Sequence, residues 1–286
     1  MMIKAQRKDQ ALIDDILSHE ISTGLHIWWL GQSGFLIQFN GKRLLLDPYL
    51  SDSLSKKYAL TDKPHVRISE LVADPSSLPR IDIVTSSHNH TDHLDAETLN
   101  PILSKFPDCK LIIPEANRDF VADRLKIDHS LPIGLNDSLS YADETFRITA
   151  IPAAHNTIDR NEKGQCRYLG YFISAGPYRI YHSGDTLLYD GMASLISEFA
   201  PHLALLPING NLPSRKVAGN LNADEAVQLA KSCGITLIIP CHYDLFAFNT
   251  ADINEFMTIA KAAGQSYLVL GLGGKCSGTE LGITNQ

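Results

Sequence analysis

Directly after the run Ile81-Asp82-Ile83-Val84-Thr85-Ser86-Ser87, the chain reads His88-Asn89-His90-Thr91-Asp92-His93, which puts four imidazole or carboxylate donors within six residues. Such a segment is useful only on a rigid frame that holds its side chains in one orientation, and a strand delivering it to a sheet edge is such a frame. In an extended segment residues two apart share a side, so His88 and His90 can meet one ion, while Asp92 and His93 lie where the chain turns towards a helix. A tetrahedral hydrolytic ion uses about four ligands and leaves one position to water, so this segment predicts two ions and further donors from elsewhere.

The rest of the chain offers those donors at the ends of apolar runs: His155 after ITAIPAA, Asp185 at the end of YRIYHSGD, and His242 after ITLIIPC. Taken alone, His155 and His242 read as satisfied polar residues and Asp185 as part of a turn. Together with the histidine segment they complete a set in which His88, His90 and His155 hold one ion, and Asp92, His93 and His242 the other. Asp185 then bridges both, since a carboxylate has two oxygens. Two cations lower the pKa of a shared water and clamp the attacking and developing oxygens, and Asp92 is expected to orient that nucleophile.

Periodicity places these residues on an α/β frame. The first ~20 residues predict an amphipathic capping helix through Ala11, Leu12, Ile13, Ile16 and Leu17. A β-meander follows in HIWWLG, GFLIQF and, after the Asn40-Gly41 turn signal, KRLLLD. Residues 51–79 form a polar excursion suited to a site mouth. Strand and helix then alternate through KLIIP, EANRDFVADRL, FRITAIPA, CRYLGYFIS, YRIYHSGD, a helix near 190–199, LALLPI, NADEAVQLAKSCG, ITLIIPC, TADINEFMTIAKAAG and a final strand SYLVL. Meanders followed by alternation in both halves predict two sheets packed face to face with helices outside, in a single domain over 1–286.

Composition narrows the function classes. A net charge of −7 disfavours a nucleic-acid wrapping surface. No apolar run reaches membrane-spanning length and the start lacks a secretory signal core, so a cytoplasmic location is expected. Five scattered cysteines without a C-x-x-C pair read as reduced thiols, with Cys241 as a buried strand end. The sequence leaves a homo-oligomer open.

The order HxHxDH, lone His, SGD, late lone His resembles the metallo-β-lactamase superfamily from about Gly24 to the end, which implies an αββα four-layer sandwich with the metals at one sheet edge. WWLGQSG, YHSGDT, NADEAVQLAKSCGITLIIPCHYDLFAFN and LGGK are similar to the ascorbate-6-phosphate lactonase branch. LGQSGFLIQFNGKRLLLDP and SHNHTDHLD also resemble the phospholipase D-like branch that cleaves N-acyl phosphatidylethanolamines. His155 departs from the lactonase pattern, which has a carboxylate there, and shifts the expected metal from manganese towards zinc.

The expected activity is hydrolysis of a small anionic lactone, ester or amide. Phosphodiester hydrolysis is the alternative enzyme, and a non-catalytic metal-binding module the alternative of another class. Asp47, ending KRLLLD, is expected to support a ligand histidine, or else to make an Asp-Pro turn. Tyr243 is a candidate to polarise the substrate or protonate its leaving oxygen. Arg215 and Lys216 are candidates to hold a substrate anion, with a solvated surface pair as the alternative. Trp28 and Trp29 are assigned to packing, and His26, His65, His129, His182 and His202 to structure or surface.

Overall fold

The structure is a computed structural model that describes residues 2–282. A first helix, α1 (Asp9–Leu17), buries Leu12, Ile13 and Ile16 against the core. Ala11 and Leu17, expected on the same stripe, face solvent instead. Then come β1 (His26–Gly31), β2 (Gly34–Phe39) and β3 (Lys42–Leu46). Asn40 and Gly41, at φ 48° and 74°, make the tight turn between β2 and β3, a conformation these two residue types adopt at small cost. The polar excursion contains a short helix, α2 (Ser53–Tyr58), that the sequence did not signal.

The histidine-bearing segment leaves β4 (Ile83–Thr85) and enters α3 (Ala96–Lys105), whose N-cap Asp95 accepts from the Glu97 N–H. Next in chain order are β5 (Lys110–Pro114), α4 (Arg118–Leu125), β6 (Ile133–Leu135), β7 (Ser140–Ala142), β8 (Phe146–Pro152), β9 (Leu169–Ala175) and β10 (Tyr178–His182). The chain continues through α5 (Met192–Phe199), β11 (Leu203–Pro207), α6 (Ala223–Ser232), β12 (Leu237–Cys241), α7 (Ile253–Ala263) and β13 (Lys275–Ser277).

Two sheets result, with strand orders β13-β1-β2-β3-β4-β5-β6 and β12-β11-β10-β9-β8-β7. Their inner faces share one hydrophobic core that includes Phe35, Ile37, Tyr171 and Ile180. Phe39 meets Tyr178 edge-on at 5.8 Å between ring centres, and the Tyr171 hydroxyl donates to the Ser86 carbonyl at 3.1 Å, so the sheets are tied as well as packed. This is the two-sheet α/β sandwich expected from the alternation.

The expected strand SYLVL does not form. Leu268 donates to the Ile238 carbonyl and Ile238 to that of Ser266, but the ladder stops there. The next donor along β12 would be residue 240, which is proline and has no N–H to give.

Strand direction decides where the donors gather. β1 and β3 are both antiparallel to β2, and β4 is parallel to β3. In the other sheet β8 and β10 are both antiparallel to β9, and β12 runs parallel to β11 and thus to β10. In each sheet, then, the strands followed by chemistry-bearing residues run the same way, and their C-terminal ends open on one edge.

Candidate metal centre

That edge assembles Gln32 and Ser33 after β1, Asp47 after β3, His88 to His93 after β4, His155 after β8, Asp185 after β10 and His242 after β12. All seven residues read from the sequence as ligands come together in three overlapping groups: His88, His90 and His155; His88, His93 and Asp185; Asp92, His93 and His242. Within each group the donor atoms lie within 4.8 Å of one another.

Residues 86–93 are not extended, as the two-residue alternation supposed, but form bends and a turn in which the N–H groups of His93 and Leu94 both reach the His90 carbonyl. The turn, rather than strand pleating, is what swings His88, His90 and His93 onto one centre. Arg124 pins it from outside, donating to the carbonyls of Asn89 at 2.7 Å and Leu94 at 3.2 Å.

Asp185 spans the cluster. Its Oδ1 is 3.4 Å from His93 Nε2, and its Oδ2 is 3.7 Å from His155 Nε2 and 3.5 Å from His242 Nε2. Two of the imidazoles are also oriented from behind, those of His155 and His93. The His155 Nδ1–H donates to the Gly219 carbonyl at 2.8 Å, which leaves Nε2 with its lone pair towards the centre. Asp47, fully buried, takes the Nδ1–H of His93 on Oδ2 at 2.7 Å, the Ser87 N–H on Oδ1 at 2.9 Å and the Thr85 hydroxyl at 3.0 Å, and it also accepts from the Ser87 hydroxyl.

Protonation follows the same geometry. Burial, reinforced by its histidine neighbours, holds His88 well below the usual imidazole range, and His90 is lowered to about 4 for the same reasons. Burial also lowers His155. Burial would lower His93 too, but the charges of Asp185 and Asp92 outweigh it and raise its proton affinity well above normal. Burial would raise the two carboxyls, and His93 and His242 more than offset that, keeping Asp92 low and Asp185 well below the normal range.

Several neutral imidazoles beside ionised carboxylates are the donor state that a divalent cation requires. Nε2 of His88 and of His93 are buried with no hydrogen-bond partner, and such orphaned atoms are rare unless an ion or water satisfies them. The residues present therefore fit a metal centre.

A cleft of about 480 Å³ opens onto this centre, and its wall includes Lys57, Lys63, Arg124, Lys216, Tyr58 and His65. Lys57 and Lys63 lie in the polar excursion, which does form part of the site mouth. They had no periodic or motif signal by which sequence alone could find them. His65, read from the sequence as structural, also faces the cleft; its Nδ1–H is held by the Lys63 carbonyl at 2.9 Å.

Two candidates are placed elsewhere. Arg215 is spent on the Asn209 carbonyl, on Asn249 Oδ1 at 3.2 Å and on the Thr250 carbonyl at 3.0 Å, and only its neighbour Lys216 lines the cleft. Tyr243 points into the core, where its ring stacks on Trp29 at 4.5 Å between centres and its hydroxyl donates to the Leu270 carbonyl at 2.7 Å. Its phenol is committed and does not face the cleft.

A two-sheet sandwich with a histidine-carboxylate cluster at one shared edge defines a metal-dependent hydrolase architecture. The chain belongs to the β-lactamase superfamily: the family model described as "Beta-lactamase superfamily domain" matches residues 42–243, well over half of it. It is 28% identical over 251 residues to a metal-dependent hydrolase of the UPF0173 group from Methanosarcina mazei, covering 86% of this chain and 95% of that one. A yeast mitochondrial N-acyl-phosphatidylethanolamine-hydrolyzing phospholipase D is 29% identical over 232 residues, covering 77% of this chain; the chain spans only 48% of that enzyme's length. Among solved structures, Igni18, a metallo hydrolase from Ignicoccus hospitalis, shares the fold at a TM-score of 0.64 and 22% identity, covering 89% and 98% of the two chains. No helix among the described residues is long and apolar enough to cross a membrane.

Proposed function

We propose that this chain hydrolyses a small anionic lactone, ester or amide at a two-ion centre. His88, His90 and His155 would hold one ion, Asp92, His93 and His242 the other, and Asp185 both. When bound, two divalent cations, zinc or manganese, lower the pKa of a shared water towards neutrality and stabilise charge developing on substrate oxygens.

The chain's own residues supply the rest. Asp92 keeps Oδ2 on the Gln32 amide at 2.9 Å, while Oδ1 makes no hydrogen bond to the described residues and is open to take a proton from the attacking water. The side chains of Lys57, Lys63 and Lys216 border the cleft without a carboxylate partner among the described residues, so they attract and orient an anion. The observation that carries this reading is the juxtaposition of the donor cluster with a lysine-bordered cleft.

Phosphodiester hydrolysis is the second reading, favoured by the yeast relative. The test combines metal content with a panel of a sugar-phosphate lactone, p-nitrophenyl esters and bis-p-nitrophenyl phosphate. Metal-dependent turnover of the lactone or esters is expected. Turnover of the diester alone selects the second reading, and fewer than one ion per chain with no turnover makes the protein a non-catalytic module.

Lys57→Ala combined with Lys216→Ala is expected to raise KM for an anionic substrate about 10-fold with kcat nearly unchanged, the pattern of lost uniform binding. The same pair of changes should leave a neutral ester unaffected. An equal effect on both substrates would remove the lysines from substrate recognition.

A further inference from the structure

The turn between β1 and β2 carries a side chain that sequence reasoning passed over. Gln32 is 4% exposed and sits at φ 50°, a left-handed conformation that is strained for a non-glycine residue. It is held there from two sides: its carbonyl accepts the Trp29 indole N–H at 3.0 Å and the His242 backbone N–H at 3.1 Å. Strain kept in place by its surroundings is characteristic of functional sites.

What the strain achieves is the position of the amide. Its Nε2 lies 2.9 Å from Asp92 Oδ2 and 3.1 Å from His242 Nε2. Asp92 Oδ2 is an acceptor, His242 Nε2 is one whenever its ring proton sits on Nδ1, and both atoms belong to the set assigned to the second ion. Gln32 Oε1, meanwhile, accepts no hydrogen bond from any described residue.

We infer that Gln32 is a further metal ligand, with Oε1 as an oxygen donor to the ion held by Asp92, His93 and His242. The inference rests on the two-ion reading above. The two ends of an amide are nearly isosteric, and which end faces a partner follows from what that partner is. Opposite a carboxylate oxygen and an imidazole lone pair, the N–H₂ end must face inward. A cation held by those donors would repel the N–H₂ end and attract the carbonyl end, and a half-turn of the terminal torsion brings the carbonyl oxygen to the same place. That torsion is broad and its rotation moves no other atom of the chain. An added oxygen ligand also biases this ion towards metals that accept higher coordination, such as manganese.

The test uses the full chain stripped with a chelator and titrated with Zn²⁺, and separately with Mn²⁺, against a competing chromophoric chelator. Wild type, Gln32→Leu and Gln32→Glu are compared, with thermal melting of the stripped proteins as the check on folding. Wild type is expected to take up two ions. Gln32→Leu is expected to weaken the second by about 10–100-fold and leave the first unchanged. Gln32→Glu, which keeps an oxygen and adds charge, is expected to bind the second ion at least as tightly as wild type.

Unchanged affinity in Gln32→Leu overturns the inference. So does equal weakening in Gln32→Glu, since that shows the amide N–H serving Asp92 with no oxygen on the metal. Wild type binding fewer than two ions overturns the two-ion reading itself, a result separable from either of these.

Discussion

Asp185→Asn is expected to lower kcat/KM on the order of 10³-fold, the upper range for removing one preorganised electrostatic group, while leaving the protein folded. Its Oδ1 faces His93 and its Oδ2 faces His155 and His242, so this one side chain reaches both donor sets. Asparagine keeps its shape and can still meet the Ser33 hydroxyl, which lies 3.4 Å from Oδ1. It cannot keep the charge. Two divalent ions would then face one carboxylate instead of two, so both should bind more weakly.

Stability should change little by comparison. In the metal-free protein the substitution loses the attraction between Asp185 and a protonated His93, but it also removes a carboxylate that is costly to bury, and these terms oppose each other. Metal content after dialysis, kcat/KM on the best panel substrate and a urea titration separate the two effects. Full activity in this variant would sink the assignment of the site.

How far the sequence disclosed this site depended on whether a residue's neighbours in the chain are also its neighbours in space. His88 to His93 could be read because six consecutive residues in one turn cannot disperse. His155, Asp185 and His242 could be read because each terminates an apolar run, and strands running the same way must end on the same edge. Asp47 was legible for the same reason, although the sequence left an Asp-Pro turn equally open.

Tyr243 fails by the converse. His242 has φ 65°, so the chain reverses there and the next side chain enters the core beside Trp29. Arg215 and Lys216 likewise adjoin in sequence, yet Arg215 turns back to Asn209 and Thr250 while Lys216 reaches the cleft.

Other contributions had no sequence signature. Lys57 and Lys63 sit on a segment with no hydrophobic period, and its placement comes from tertiary contacts such as Arg67 lying over the Tyr49 and Phe246 rings and donating to Asp52 at 2.7 Å. Gln32 occupies a tight turn where glutamine reads as solvated, and only the β1 register shift next to it and the approach of β12 bury it. The fold was more legible than the site mouth because hydrophobic period reports burial, whereas a cleft wall is half-buried and aperiodic. The lost strand at 266–270 shows the limit on that side too. Its apolar residues are real, but a proline in the partner strand denies them a ladder.

The second large effect is expected at Asp47, and it divides stability from activity. Asp47→Ala leaves the Ser87 N–H and His93 Nδ1 without their partner in a fully buried place, at roughly 1–3 kcal/mol for each. It also puts alanine at φ 39°, which aspartate or asparagine tolerates better. A loss of about 3–5 kcal/mol in total follows, a large share of an ordinary domain's stability. Asp47→Asn fits the backbone and fills the same volume, so it should be much the more stable variant. Its amide nevertheless cannot satisfy both sides. With oxygen towards the Ser87 N–H, the N–H₂ end donates to His93 Nδ1 and drives the ring proton onto Nε2, the atom assigned to the ion in the proposed centre. With the amide reversed, N–H₂ opposes the Ser87 N–H. The asparagine variant should therefore unfold close to wild type in urea yet bind metal at least 10–100-fold more weakly and lose activity in proportion. Wild-type metal affinity in Asp47→Asn would show that the tautomer of His93 is set by something other than Asp47.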